Sequence, residues 1–150
     1  MKSMKIAVDF DGTSVTHEFP LVGKNIGAEH VMRELVANGH QLILFTMRSD
    51  EHSIGDEFAK EIGVDPSPAK NYLSDALDWF NKEGIPLYGV QSDPDQTKWT
   101  TSPKAYAHLY IDDAALGCPL KSDPSLSHKA FVDWKAVRAL LMEQGFLKND

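Results

Sequence analysis

Cysteine is almost missing from this chain: its 150 residues hold one, Cys118. An internal disulfide is thereby excluded, and such usage fits a reducing compartment, so a cytoplasmic protein is expected. Long apolar runs are missing too. None approaches the roughly 20 residues of a membrane-spanning helix. The start "MKSMKIAVDF" reaches Asp9 before any apolar h-region develops, so no signal peptide is expected. Positive charge is scarce: 15 Lys and Arg stand against 22 Asp and Glu, a formal charge of −7. That balance argues against a broad surface for a long nucleic acid. The six histidines show no H-x-x-x-H spacing, which argues against zinc. Repeats, low-complexity tracts and linkers are absent as well.

What is present is a chain with 42% apolar and 25% charged residues, the balance of one globular domain over 1–150. Four short apolar runs read as strands: "KIAVDF" (5–10), "HQLILFT" (40–46), "IPLYGVQ" (85–91) and "AHLYIDD" (107–113). Helical spacing covers 26–38, 71–84 and 131–146, with Gly39 and Gly84 as stops after the first two. "VTHEFP" (15–20) reads as a small flap closed by Pro20. The stretch 50–69 is expected to be irregular, with "GDEFAKEI" as a short helix. Strands alternating with helices predict an α/β fold, most simply a parallel sheet covered by helices.

In open parallel sheets, ligands bind beyond the carboxyl ends of the strands. The unusual polar groups of this sequence sit there. Asp9 and Asp11 follow the first strand, Thr46 and Arg48 the second, and Asp112 and Asp113 the last, with Lys104 just before it. Two carboxylates one residue apart at the end of a buried strand repel each other unless solvated or joined by a cation. A solvated turn is the plainer reading of the pair. An EF-hand loop does not fit, because its sixth and twelfth positions counted from Asp9 hold Ser14 and Pro20. Converging carboxylates instead suit an oxygen-rich Mg²⁺ site, with the lysine, arginine and hydroxyl around a phosphate.

Together these segments resemble the haloacid dehalogenase-like (HAD) phosphatase superfamily. "DFDGT" is similar to its first signature, "LILFTMR" to its second, Lys104 to its single lysine, and "LYIDDAALG" to its closing acidic pair. All four occur in the family's order, from Asp9 to Asp113. The order also separates the chain from response-regulator receivers, whose acidic pair comes first. The resemblance implies a Rossmann-like three-layer sandwich with a mainly parallel sheet, and a Mg²⁺-dependent phosphomonoester hydrolase. Asp9 would be the nucleophile, forming an aspartyl-phosphate. Asp11 would protonate the leaving oxygen and then activate water. Mg²⁺ would be held by Asp9, the main-chain carbonyl of Asp11 and one of the closing pair, with Asp113 favoured and Asp112 behind it. Thr46, Arg48 and Lys104 would hold the phosphorylated substrate. Lys104 lies only eight residues before Asp112, so Lys98 competes for the lysine role. The intervals between motifs leave no room for a cap domain. A capless site is open, so the flap, the 50–69 segment or a partner subunit of a homo-oligomer must exclude water.

Other residues carry plainer expectations. Arg48 could simply pair with Asp50 or Glu51. His17 is expected to be exposed in the flap. Trp79 and Trp134 read as core, whereas Trp99 sits in a polar loop where it could stack on a substrate ring. Cys118 has no base partner in view. The rival to the enzyme is a metal- or phosphate-binding module on the same scaffold, without hydrolysis.

Overall fold

The computed structural model describes residues 2–148, without the side chains of 52 and 67–69. Its centre is a parallel sheet made from the four apolar runs. These are β1 (Lys5–Val8), β2 (Gln41–Leu44), β5 (Gly89–Val90) and β6 (Leu109–Ile111), in the spatial order β5-β2-β1-β6. The helices are α1 (Ala28–Ala37), α2 (Asp56–Ile62), α3 (Tyr72–Lys82) and α4 (Trp134–Glu143). Two small antiparallel ladders complete the fold: β3 (His52–Ile54) with β4 (Ser67–Lys70), and β7 (Leu120–Lys121) with β8 (Phe131–Val132). The whole is a mixed α/β fold with helices flanking a parallel sheet, consistent with a Rossmann-like sandwich. Among the described residues, no helix is long and apolar enough to cross a membrane.

Alternation along the strands divides the work of the sheet. Ile6, Val8, Leu42, Leu44 and Ile111 enter the main core, which α1 meets with Val31, Met32 and Leu35. Into the same core α3 sends Ala76, Trp79 and Phe80, and α4 sends Trp134, Val137 and Leu141. Trp79 and Trp134 are core residues, as expected. The opposite face carries Lys5 and Ala7, and here the connection from β5 to β6 takes the place of a packed helix. Lys5 Nζ pairs with Asp93 at 2.9 Å and lies over the rings of Tyr88 and Tyr106 at 5.5 and 5.4 Å. That connection has a single 3-10 turn, Gln96–Lys98. It is held in shape by the buried Gln96 side chain. Gln96 Oε1 accepts from the backbone of Asp93 and of Tyr106, and Nε2 donates to the Lys104 carbonyl, each at 2.9 Å. An amide with two acceptor sites and two donors can replace the internal bonding of a helix at such a place.

Two stretches differ from the sequence expectation. The 50–69 region is a β3-α2-β4 unit with its own small core of Ile54, Ala59 and Tyr72, against which Phe19 and Val64 pack. Its strands are too short for an alternating pattern, so pairing rather than periodicity defines them. At the other end, Phe131 and Val132 pair with β7 instead of opening the last helix. The helix starts one residue after Asp133, whose side chain caps it by accepting from Ala136 N.

Candidate functional site

Asp9 continues β1 by one residue, its N–H donating to the Ile111 carbonyl at 3.0 Å. The chain then turns sharply. The backbone N–H groups of Thr13, Ser14 and Val15 all point at the Phe10 carbonyl, at 3.1, 2.8 and 3.3 Å. Ser14 Oγ donates to the Asp9 carbonyl at 2.8 Å. Phe10, between the two aspartates, is fully buried and packs edge-on against Trp79, with ring centroids 5.8 Å apart. Anchoring that ring fixes the backbone from which both carboxylates project. From the far end of the chain, Val132 N donates to the Gly12 carbonyl at 3.0 Å and Trp134 Nε1 to the Thr13 carbonyl at 2.6 Å. Gly12 has φ +80°, and a Cβ there would collide with the Asp113 carboxylate. Only glycine meets both conditions.

Asp9, Asp112 and Asp113 each offer a carboxylate oxygen within 4.8 Å of the others. The buried Thr13 hydroxyl joins two of them: it lies 3.0 Å from Asp9 Oδ2 and accepts from Asp113 N at 3.0 Å. Burial, reinforced by the Asp112 charge, pushes the Asp9 carboxyl up to about 8. Burial also raises Asp113, and the neighbouring Asp112 adds to it, while hydrogen bonding with Asp9 works the other way. Among the described residues, no Lys, Arg or His forms an ion pair with any of the three. Three oxygen donors without a compensating side chain suit a hard divalent cation such as Mg²⁺. Asp112 and Asp113 both reach this point, so the geometry does not rank one behind the other.

Asp11 lies apart from this cluster. Both its oxygens accept from Arg48, Oδ2 from Nε and Oδ1 from Nη2, each at 2.8 Å. Arg48 is 2% exposed. Its guanidinium also donates to the carbonyls of Leu21 at 2.8 Å and Tyr72 at 3.1 Å, and lies between the rings of Phe10 and Phe19. It ties the first loop, the flap and the start of α3 together. Sequence reasoning put Arg48 on substrate, or on Asp50 or Glu51; the structure puts it on Asp11. Asp50 instead accepts from the backbone and hydroxyl of Ser74, at 2.9 and 2.8 Å.

The other expected residues divide as follows. Thr46 stands at the end of β2, where Gln91 Oε1 accepts from its N–H at 2.9 Å and Gln91 Nε2 donates to its carbonyl at 2.7 Å. Its Oγ1 accepts from Arg48 N at 3.2 Å. Lys104 lines a cleft of about 350 Å³ together with Asp9 and Asp112. Lys98 is turned away on Asp95 at 3.1 Å, and Trp99 packs edge-on against Tyr106 outside the cleft. Sequence reasoning missed Gln91, which closes β5 with φ +65° and braces the Thr46 loop. It also missed Thr13 as the link between Asp9 and Asp113. Thr13 was visible in "DFDGT"; Gln91 gave no signal beyond its place at a strand end.

No protein-family model matches the chain, and no curated protein matches it. Among solved structures, a conserved protein from Bacteroides thetaiotaomicron is similar, with 28% sequence identity and a TM-score of 0.68. The likeness covers 95% of this chain and 93% of that one.

Proposed function

We propose that this chain is a HAD-like, capless phosphatase: a Mg²⁺-dependent phosphomonoester hydrolase that works through an aspartyl-phosphate on Asp9. The observation that carries this reading is the meeting of Asp9 with Asp112 and Asp113, about a hundred residues away in sequence, at adjoining strand ends. Mg²⁺ bound by these carboxylates and the Asp11 carbonyl would offset the repulsion between an anionic nucleophile and a phosphate dianion. The Asp9 carboxylate attacks phosphorus, an O–P bond forms, and the ester P–O bond breaks. Lys104, which lines the same cleft as Asp9, and the Thr46 hydroxyl after β2 would meet the phosphoryl oxygens. Water then attacks the same phosphorus, giving up a proton to Asp11, and phosphate leaves Asp9 free. In this conformation Asp11 is held by Arg48, so to protonate the leaving oxygen it must turn from the guanidinium and take up a proton from solvent, which it returns after accepting one from the attacking water.

The Arg48 clamp also supports a second reading, in which the site binds metal and phosphate without hydrolysis, because the acid is engaged elsewhere. One assay separates the two. Phosphate release from an aryl phosphate should need Mg²⁺, stop in excess chelator, and vanish in Asp9→Asn while that variant still folds. Mg²⁺-dependent phosphate binding without turnover would favour the second reading, and activity surviving in Asp9→Asn would refute the first.

A further inference from the structure

The cleft beside Asp9 is chemically one-sided. Register places Ala7 of β1 directly between Ile43 of β2 and Tyr110 of β6. Alternation then puts Asp9 and Phe45 on that same face, so Ala7 floors a trough walled by Phe45 and Tyr110. Asp9 and Asp112 stand at its head, and Ala114 and Ala115 continue the apolar wall. Three donors along these walls are engaged within the protein. Tyr110 Oη donates to the Ala105 carbonyl at 2.7 Å, Ala114 N to Asp112 Oδ1 at 2.8 Å, and Ala115 N to the Asp112 carbonyl at 3.0 Å. The lining side chains leave Lys104 Nζ, 5.4 Å from the Tyr110 ring centroid, as the donor available to a ligand. Just beyond the trough, the loops after β2 and β6 hold Met47 and Leu116 fully in solvent.

Resting on the hydrolase reading above, we propose that this cleft selects phosphomonoesters of aromatic alcohols over those of sugars and polyols. With the phosphoryl group at Asp9 and Lys104, the organic group lies over Ala7 between the two rings. A flat apolar group gains burial and ring contact there. A sugar would bring several hydroxyls against the apolar side chains of Ala7, Phe45, Ala114 and Ala115, and each hydroxyl stripped of water without a partner opposes binding.

Benzyl phosphate and glucose 6-phosphate make a matched test, since both leaving groups are alkoxides of weakly acidic primary alcohols. With Mg²⁺, kcat/KM for benzyl phosphate should exceed that for glucose 6-phosphate by at least about tenfold, the order expected for burying one apolar ring. Equal rates, or a preference for the sugar, overturn the proposal while leaving the hydrolase reading intact. Binding supplies an independent arm. Benzylphosphonate with Mg²⁺ should bind at least tenfold tighter than methylphosphonate by calorimetry. If neither ester is hydrolysed, the hydrolase reading fails and this comparison alone decides the ligand class, equal affinities overturning it. Tyr110→Phe should keep the preference and Tyr110→Ser should cut it severalfold; an unchanged preference in Tyr110→Ser removes the ring from the account.

Discussion

Asp9 and Asp11 stand two residues apart in one loop, yet they occupy opposite electrostatic regions. Asp9 is half-buried beside two further carboxylates, none of the three ion-paired among the described residues, and its carboxyl is pushed up to about 8. Asp11 has a buried guanidinium to itself, with both oxygens bonded at 2.8 Å. The buried Phe10 between them separates the two environments. The contrast teaches that the acidic loop is not one acidic patch. It is an acidic half-site whose three carboxylates could hold a cation, beside a closed structural pair that ties the flap to the body.

Breaking the closed pair should have the largest effect. Arg48→Ala leaves Asp11 without its partner and frees the carbonyls of Leu21 and Tyr72, so denaturant unfolding should show a loss of about 3–5 kcal/mol. A loss under about 1 kcal/mol would mean that the pair is no more than a surface contact. The open half-site predicts a pH signature instead. A carboxyl raised in the folded state binds more protons folded than unfolded between its ordinary value and about 8. Metal-free stability attributable to Asp9 is therefore greatest below the ordinary carboxylate range. It falls as pH rises towards 8, by no more than about 1.4 kcal/mol per pH unit. Asp9→Asn should flatten that fall, and Mg²⁺ should raise Tm more at pH 8 than at pH 5. Equal Mg²⁺ shifts at both pH values would contradict the unpaired cluster.

A smaller change sharpens the boundary between the regions. Gly12→Ala must strain a residue at φ +80° and displace Asp113, so it should lose about 1–3 kcal/mol and weaken Mg²⁺ binding, read by calorimetry. The two lysines give the smallest contrast. Lys104→Ala should raise KM for an aryl phosphate about tenfold, since it removes the free donor of the cleft. Lys98→Ala, whose partner is the exposed Asp95, should leave both KM and Tm where they were.

Much of the sheet was legible because buried parallel strands announce themselves as apolar runs, and "DFDGT" and "YIDD" stood at their ends. The main helices were legible from the spacing of Leu35, Leu77 and Val137. The β3-α2-β4 unit was not, because three- and four-residue strands carry no period. Nor was the end of β8, where Phe131 and Val132 fit a helical pattern and only the Asp133 cap decides. At the site, the residue types and their strand-end positions could be read, but partner choice could not. Arg48 had Asp50 and Glu51 as near neighbours in sequence. Folding gave it Asp11 because Phe10 and Phe19 shape the slot its guanidinium enters.

The central claim is that Asp9, the aspartate without a cationic partner, is the one that takes the phosphoryl group. Asp11→Asn slows the water step without removing the nucleophile, so the intermediate should accumulate. General acid–base assistance is worth about 10²–10⁴-fold, enough to trap it. Acid-quenching this variant with an aryl phosphate and Mg²⁺, then sequencing its peptides by mass spectrometry, should place one phosphoryl group on Asp9, preceded by a burst of the aryl alcohol. Turnover with no phosphorylated peptide, or a phosphoryl group on any other residue, would contradict the account.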